Sequence, residues 1–258
     1  MKVKNIVLDT KIPHTETEKQ FYDAKATMSV KDDPIYSLGI LEKADKYAYS
    51  LLGKLVNKMI LEIGCGTGEH AIRFAKEGAL VYAIDVSPRM IEQASQRVKE
   101  EGLGNQIILL EMNAEKMEFA DSTFDVVFGH SVLHHTDLGL TRGEVYRVLK
   151  KEGRGVFVEP LGHNPLVNLF RRLTPHRRTP TERPFTWDNL LFLGRFFSSF
   201  THWEFYLTAL AAFVLLHFWN RKLFQSAVRT LSRADDAIFQ IFPSLRRYAW
   251  VTVIEVVK

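Results

Sequence analysis

The chain has 258 residues, 46% of them hydrophobic and 25% charged, with a formal net charge of +4. That length and apolar content sustain a full hydrophobic core and exclude a disordered or fibrous chain. The single cysteine, Cys65, excludes a disulfide framework and a multi-cysteine metal site, and it fits a reducing compartment. The charge is unevenly placed. Residues 160–258 carry 13 Lys and Arg against 6 Asp and Glu, a balance of +7, which leaves −3 for the remainder. Solvated arginines are the plain explanation of that excess; an anionic substrate or membrane surface is the sharper one. The first twenty residues contain no apolar segment long enough for a signal peptide, so the expected location is cytoplasmic.

In chain order, residues 59–63 read as a buried strand, 69–77 as a helix, 80–85 as a second strand and 88–101 as a helix. Ser87 followed by Pro88 marks the start of that helix, a hydroxyl cap before a residue whose φ is already helical. Strands are expected at 106–110, 124–128 and 155–159, with a helix at 138–150 between the last two. Strands alternating with helices predict a parallel sheet covered on both faces. From 160 to about 200, prolines at 160, 165, 175, 180 and 184 and arginines at 171, 172, 177, 178 and 183 mark an excursion. Beyond it, 200–207 and 247–257 read as strands with an extra helical segment between them.

The sequence "ILEIGCGTG" at 60–68 places glycines at 64, 66 and 68 between a strand and a helix, where the backbone can approach a ligand closely. A dinucleotide fingerprint needs glycine at 69; Glu69 stands there and opposes a pyrophosphate. Asp85 ends the second strand, where an acid accepts ribose hydroxyls. Together "ILEIGCGTG", "YAIDVSPRMIEQA", "NAEKMEFADSTFDVVFGHSVLHH" and "VLKKEGRGVFVEP" resemble the class I S-adenosylmethionine-dependent methyltransferases, in order over roughly residues 56–160. The resemblance implies a Rossmann-like, doubly wound seven-stranded sheet, mostly parallel with its last strand antiparallel, and a helical cap or insertion in the C-terminal part. The division it implies is an N-terminal helical lid at 1–55, a cofactor-binding core at 56–160, and a substrate-side cap with the final strands at 161–258.

The implied cofactor is S-adenosyl-L-methionine. Carried over position by position, its methionine part lies against Gly64, Cys65 and Gly66, with Glu62 near the amino group. Asp85 holds the ribose, Val86 and Met90 pack on the adenine, and Asn113-Ala114 stands where the family often has Asp-Ala. His130 would line the sulfonium end. Met90 reads equally well as ordinary core, and Cys65 as a small loop filler.

Methyl transfer needs alignment and, for hydroxyl or amine acceptors, removal of a proton. "VLHHT" offers His134 and His135; one is expected to be structural and His135 to act in the site. Glu159 and His163 lie at the carboxyl edge of the sheet and are further catalytic candidates. Phe21-Tyr22-Asp23 resembles a lid segment, with Tyr22 either a lid residue or a core aromatic. The arginines after residue 170 read either as a solvated basic loop or as a bidentate clamp for phosphate or carboxylate.

The uncharged run 205–220 is short for a membrane-spanning helix. After it, Leu223, Phe224, Ala227, Val228 and Leu231 share one helical face, opposite Lys222, Arg229 and Arg233. That pair of segments fits a cap or homodimer face, a tunnel for a lipid-like acceptor, or a helix resting on an anionic membrane. The expected acceptor is a small molecule or lipid-like compound. A prenyl-quinone or other membrane-lipid methylase is the runner-up, and a non-catalytic S-adenosylmethionine-binding module a third reading. Nucleic acid is not expected, because the fourth strand ends in "GHSVLHH" rather than a base-methylating Asn/Asp-Pro-Pro-Tyr motif.

Overall fold

The computed structural model describes residues 14–26, 39–175, 179, 181–212 and 221–258. Seven strands, Met59–Ile63 (β1), Leu80–Asp85 (β2), Ile107–Glu111 (β3), Phe124–His130 (β4), Leu149–Pro160 (β5), Ser199–Phe205 (β6) and Val251–Val257 (β7), form one sheet of order β3-β2-β1-β4-β5-β7-β6. The first five run parallel, and β7 inserts antiparallel between β5 and β6. The order reverses beside β1, whose neighbours are β2 and β4. The crevice beyond the carboxyl ends of β1 and β4 is where open sheets of this kind take their ligands.

The helices are His14–Ala26 (α1), Glu42–Leu52 (α2), Glu69–Lys76 (α3), Pro88–Glu100 (α4), Leu138–Val148 (α5), Pro165–Leu173 (α6), Trp187–Gly194 (α7) and Arg221–Ile241 (α8). Alternation along the strands divides the apolar residues between two layers. Ile60, Val126 and Phe128 bury against one side with Phe74 and Phe224, while Leu61, Ile63 and Val127 bury against the other with Val145, Val148 and Leu190. Phe124 faces the same side as Val127 because the β4–β5 register shifts between Phe124 and Val126.

The cap expected before α4 is present: the Ser87 hydroxyl accepts the Met90 amide at 3.2 Å. Two boundaries differ from expectation by more than two residues. β5 starts at Leu149, six residues early, and β7 starts only at Val251, because Pro243–Tyr248 forms a 3-10 turn. In α8, Phe224 and Val228 are buried as expected, but Leu223 is exposed. The inward row continues through Ser232, Asp235 and Phe239. Asp235 holds the start of the 3-10 turn Ala209–Ala212, which precedes α8, accepting the Leu207 and Thr208 amides at 2.9 and 2.8 Å. Residues 213–220 of the apolar run, and Arg177 and Arg178, lie outside the described residues. No helix among the described residues is long and apolar enough to cross a membrane.

Candidate cofactor and acceptor site

The loop between β1 and α3 turns through positive φ at Gly64 (66°), Gly66 (50°) and Gly68 (77°). A Cβ on Gly64 would stand 2.5 Å from Val132 Cγ2, so this glycine lets the loop after β4 pack directly on the loop after β1. A Cβ on Gly66 would meet nothing within 4 Å. That glycine is not required by any protein neighbour, and its open face is where a ligand can lie against the backbone.

Asp85, at the end of β2, fixes this loop. Its two oxygens accept the Gly66 and Ser87 amides, each at 2.9 Å. Burial raises its carboxyl above the usual carboxylate range, against the opposing pull of those amides. Glu62 lies under the loop, 1% exposed, and its Oε2 is buried without a hydrogen-bond partner. Burial drives its carboxyl well above the usual range, with a hydrogen bond donated by the Ala71 backbone amide opposing. Cys65 is buried and its thiol pushed well up by burial, which removes it as a nucleophile. Val86 is partly buried, and Met90 and Ala114 are buried at the flank of the loop. The Asn113 amide oxygen accepts from Glu115 N at 2.9 Å and its nitrogen donates to Thr15 Oγ1 at 3.3 Å, so this side chain is oriented by the chain itself.

His130 ends β4, with its Nε2 3.0 Å from Asp45 Oδ1 of α2 and its ring stacked on His70 at 5.0 Å. His70, which sequence reasoning did not single out, is tied by Nδ1 to the Tyr49 hydroxyl at 2.8 Å. Burial holds its imidazole well below the usual range, hence neutral. Its place immediately after Glu69, at the first turn behind the glycines, was the available signal.

The 3-10 turn Leu133–His135 carries the histidine pair. His134 Nδ1 is 2.6 Å from Glu159 Oε2, and Glu159 Oε1 accepts the Val132 and Leu133 amides at 3.0 and 2.8 Å. Burial lowers the His134 imidazole below its ordinary range. Glu159 is fully buried and engaged on both oxygens, so it braces the loop rather than facing an acceptor. His163 accepts the Trp187 amide at 3.1 Å and orders the start of α7. Both side chains lie at the carboxyl edge of the sheet, as expected, and both make structural hydrogen bonds there.

His135 has different company. Its Nε2 lies 3.0 Å from the Tyr22 hydroxyl and its Nδ1 3.1 Å from Glu18 Oε2, both from α1. Glu18 is buried; its Oε1 accepts the Thr179 hydroxyl at 2.7 Å and the Thr181 hydroxyl as well. Burial raises the Glu18 carboxyl, but His135 and the two threonines outweigh it and hold the group below its usual range. From the next turn of α1, Asp23 Oδ1 accepts the Ser87 hydroxyl at 2.5 Å. Tyr22 is therefore placed at the site, and Glu18 was legible as its i−4 neighbour on the same helical face. Arg171 Nη2 pairs with Glu182 Oε1 at 2.9 Å, and ligand-type atoms of Glu182, His134 and His135 lie within 4.8 Å of one another.

Residues 61–157 match the profile of a family described as methyltransferase domain. The chain's curated relatives include a demethylmenaquinone methyltransferase from Lactiplantibacillus plantarum, 33% identical over 48% of this chain and 54% of that protein. A methyltransferase from Penicillium fellutanum is 37% identical over 38% of this chain and 31% of its own length. The chain thus spans about half or less of these relatives. Among solved structures, a phosphoethanolamine N-methyltransferase from Haemonchus contortus, described in complex with S-adenosylhomocysteine, superposes with TM-score 0.67 at 19% identity, covering 97% of this chain and 61% of that one. A geranyl diphosphate C-methyltransferase from Streptomyces coelicolor superposes with TM-score 0.62 at 13% identity over 96% and 98% of the two chains. The chain therefore carries the class I fold across nearly its whole length. Its loop also fits S-adenosylmethionine chemically. The orphaned Glu62 oxygen suits an ammonium group, and the open face of Gly66 suits a ligand in van der Waals contact with backbone.

Proposed function

We propose that this chain is an S-adenosylmethionine-dependent methyltransferase acting on a small-molecule or lipid-like acceptor. The observation that carries the reading is the pairing of an open, Asp85-braced glycine loop with a histidine that α1 holds from above. When bound, the cofactor supplies an electrophilic methyl on a sulfonium. Glu62 receives the amino group of its methionine part, Asp85 the ribose hydroxyls, and Met90 and Ala114 the adenine edge. His135 takes the acceptor's proton at Nε2, the atom that the Tyr22 hydroxyl holds until an acceptor displaces it, and Glu18 at Nδ1 stabilises the imidazolium that results. The chemistry the cofactor would supply is methyl transfer to the acceptor's lone pair by in-line displacement, with the electrons of the carbon–sulfur bond left on sulfur. α1, anchored at Glu18, Tyr22 and Asp23, excludes water from that edge.

The lid, core and cap division at residues 55 and 160 is part of this reading, as is a cytoplasmic location suggested by the lone cysteine. A lipid acceptor taken from a membrane surface is the favoured form, supported by the exposed leucines of α6. A non-catalytic cofactor-binding module would keep the Asp85 loop without the use of His135.

Calorimetric titration with S-adenosylhomocysteine, with NADH as control, is the test. Saturable binding of the first alone is expected. Binding of NADH alone, or of neither, overturns the proposal. Transfer of isotopically labelled methyl to an extracted lipid fraction separates the enzyme from the binding module.

A further inference from the structure

Helix α6, "PLVNLFRRL", is built with its apolar stripe facing the wrong way for a soluble helix. Leu166, Leu169, Phe170 and Leu173 recur at i, i+3, i+4 and i+7, and all four are exposed, Leu173 at 71% and Leu166 at 62%. The opposite face carries Val167, which is buried, and Arg171, four residues on, which pairs with Glu182 beside the histidine pair. One side of α6 thus belongs to the acceptor edge of the site and the other offers leucine and phenylalanine to the surroundings.

The stripe is not isolated. Asn164, the cap of α6, donates to the Tyr248 carbonyl at 2.7 Å, which places the turn Pro243–Tyr248 beside the start of the helix. That turn is preceded by Phe242 and ends at Tyr248, both exposed. The charge around these residues has one sign: 165–174 and 241–248 contain Arg171, Arg172, Arg246 and Arg247 and no acid. Arg171 and Arg246 answer to Glu182 and Glu204, whereas Arg172 and Arg247 are exposed.

The geometry points to α6 and the 243–248 turn as a surface that docks on an anionic lipid bilayer, with the leucine stripe entering the interface and Arg172 and Arg247 meeting the headgroups. Exposed apolar stripes rimmed by arginine match the interfacial pattern, in which apolar burial and attraction to anionic lipid add together. Charge decides between occupants. A second copy of this chain would bring the same arginines against one another, while an anionic bilayer neutralises them. The surface deepens the proposed lipid-like acceptor and rests on that reading only for its purpose: the helix whose inner face borders the histidines is the one that would lie at the membrane, so an acceptor need not cross water to reach them.

Co-sedimentation of the full chain with phosphatidylcholine vesicles, with and without phosphatidylglycerol, tests this. The expected result is pelleting with the anionic vesicles only, at least about tenfold weaker for Leu169→Glu/Leu173→Glu and weakened by Arg172→Glu/Arg247→Glu or by high salt. Melting temperatures of the variants and their titration with S-adenosylhomocysteine should match the unsubstituted chain, which separates loss of docking from unfolding and from failure of the cofactor reading. No pelleting, equal pelleting with neutral vesicles, or pelleting unchanged in the leucine variant overturns the proposal. Sedimentation velocity showing a dimer that Leu169→Glu/Leu173→Glu dissociates does so too, by assigning the face to a second copy.

Discussion

Two glycines of one loop separate the fold from the ligand. At Gly66 the backbone sits at φ 50°, so alanine there costs about 1–2 kcal/mol of left-handed strain and meets no neighbour. In a chain of this size that lowers the melting temperature by about 2–4 °C per kcal/mol. At Gly64 the same strain applies at φ 66°, and the new Cβ lies 2.5 Å from Val132 Cγ2 and 2.8 Å from Val132 Cβ. Overpacking adds about 1–3 kcal/mol, so Gly64→Ala should melt distinctly below Gly66→Ala. Ligand binding should run the other way for the milder variant. The methyl group of Gly66→Ala fills the space against which the cofactor is proposed to lie, and a clash of only about 1.4 kcal/mol already costs tenfold in affinity. Differential scanning fluorimetry and calorimetric titration with S-adenosylhomocysteine read the two effects separately. Gly66→Ala binding with unchanged affinity would refute the placement of the ligand, and Gly66→Ala melting as low as Gly64→Ala would refute the claim that its face is open.

Asp85→Ala should weaken S-adenosylhomocysteine binding more than about tenfold and also lower the melting temperature, because the Gly66 and Ser87 amides lose a charged acceptor worth about 1.5–3 kcal/mol each; titration indistinguishable from the unsubstituted chain would show the ribose to be elsewhere. Glu62→Gln should stabilise the ligand-free protein at alkaline pH while weakening cofactor binding. Burial raises the Glu62 carboxyl, so the folded state holds its proton more tightly than the unfolded chain. The resulting stability is complete below the usual carboxylate range and is lost as pH rises through the raised value. The variant should therefore flatten that decline, and an unchanged melting-temperature profile against pH would sink the argument. His135→Ala should leave S-adenosylhomocysteine affinity intact and abolish methyl transfer, with Tyr22→Phe showing a smaller loss, since it removes only the 3.0 Å contact that orients the ring; transfer at the unsubstituted rate in both would remove the proton-accepting role.

The strand–glycine–helix unit was legible because its signals are local. A buried β1, positive φ at every second position and a capped α4 each follow from a few adjacent residues. Asp85 was equally readable, because the topology of a parallel sheet brings the end of β2 to the loop after β1. Glu159 and His163 lie at the sheet edge expected of them, and their hydrogen bonds there could not be read from the strand pattern. Strand order places a residue at the ligand edge, but whether its oxygen or nitrogen faces a ligand is settled by amides from elsewhere in the chain, here those of Val132, Leu133 and Trp187. The same limit hid the inward row of α8. Its pattern suggested Leu223, yet Asp235 is buried because three residues before the helix need a shared acceptor for their amides.

What periodicity could least foretell is the long-range bracing of His135. Tyr22 is 113 positions away, and Thr179 and Thr181 reach Glu18 across 161 and 163. These contacts join three stretches that the chain keeps far apart: the opening helix, the loop after β4 and the excursion after β5. Glu18 is where they converge, and it is a costly group to bury. Desolvation raises its carboxyl, and only His135 with the two threonine hydroxyls brings it back below the usual range. A charge stabilised by partners from three segments is stable only while all three are in place. The closed edge is thus a cooperative unit whose integrity falls with pH as Glu18 takes up a proton. The glycine loop needs no distant partners for its brace, since Asp85 and the amides it accepts all lie between residues 66 and 87. The glycine loop is therefore assembled locally and the bracing of His135 globally, and this accounts for why the first could be read from sequence and the second had to be seen.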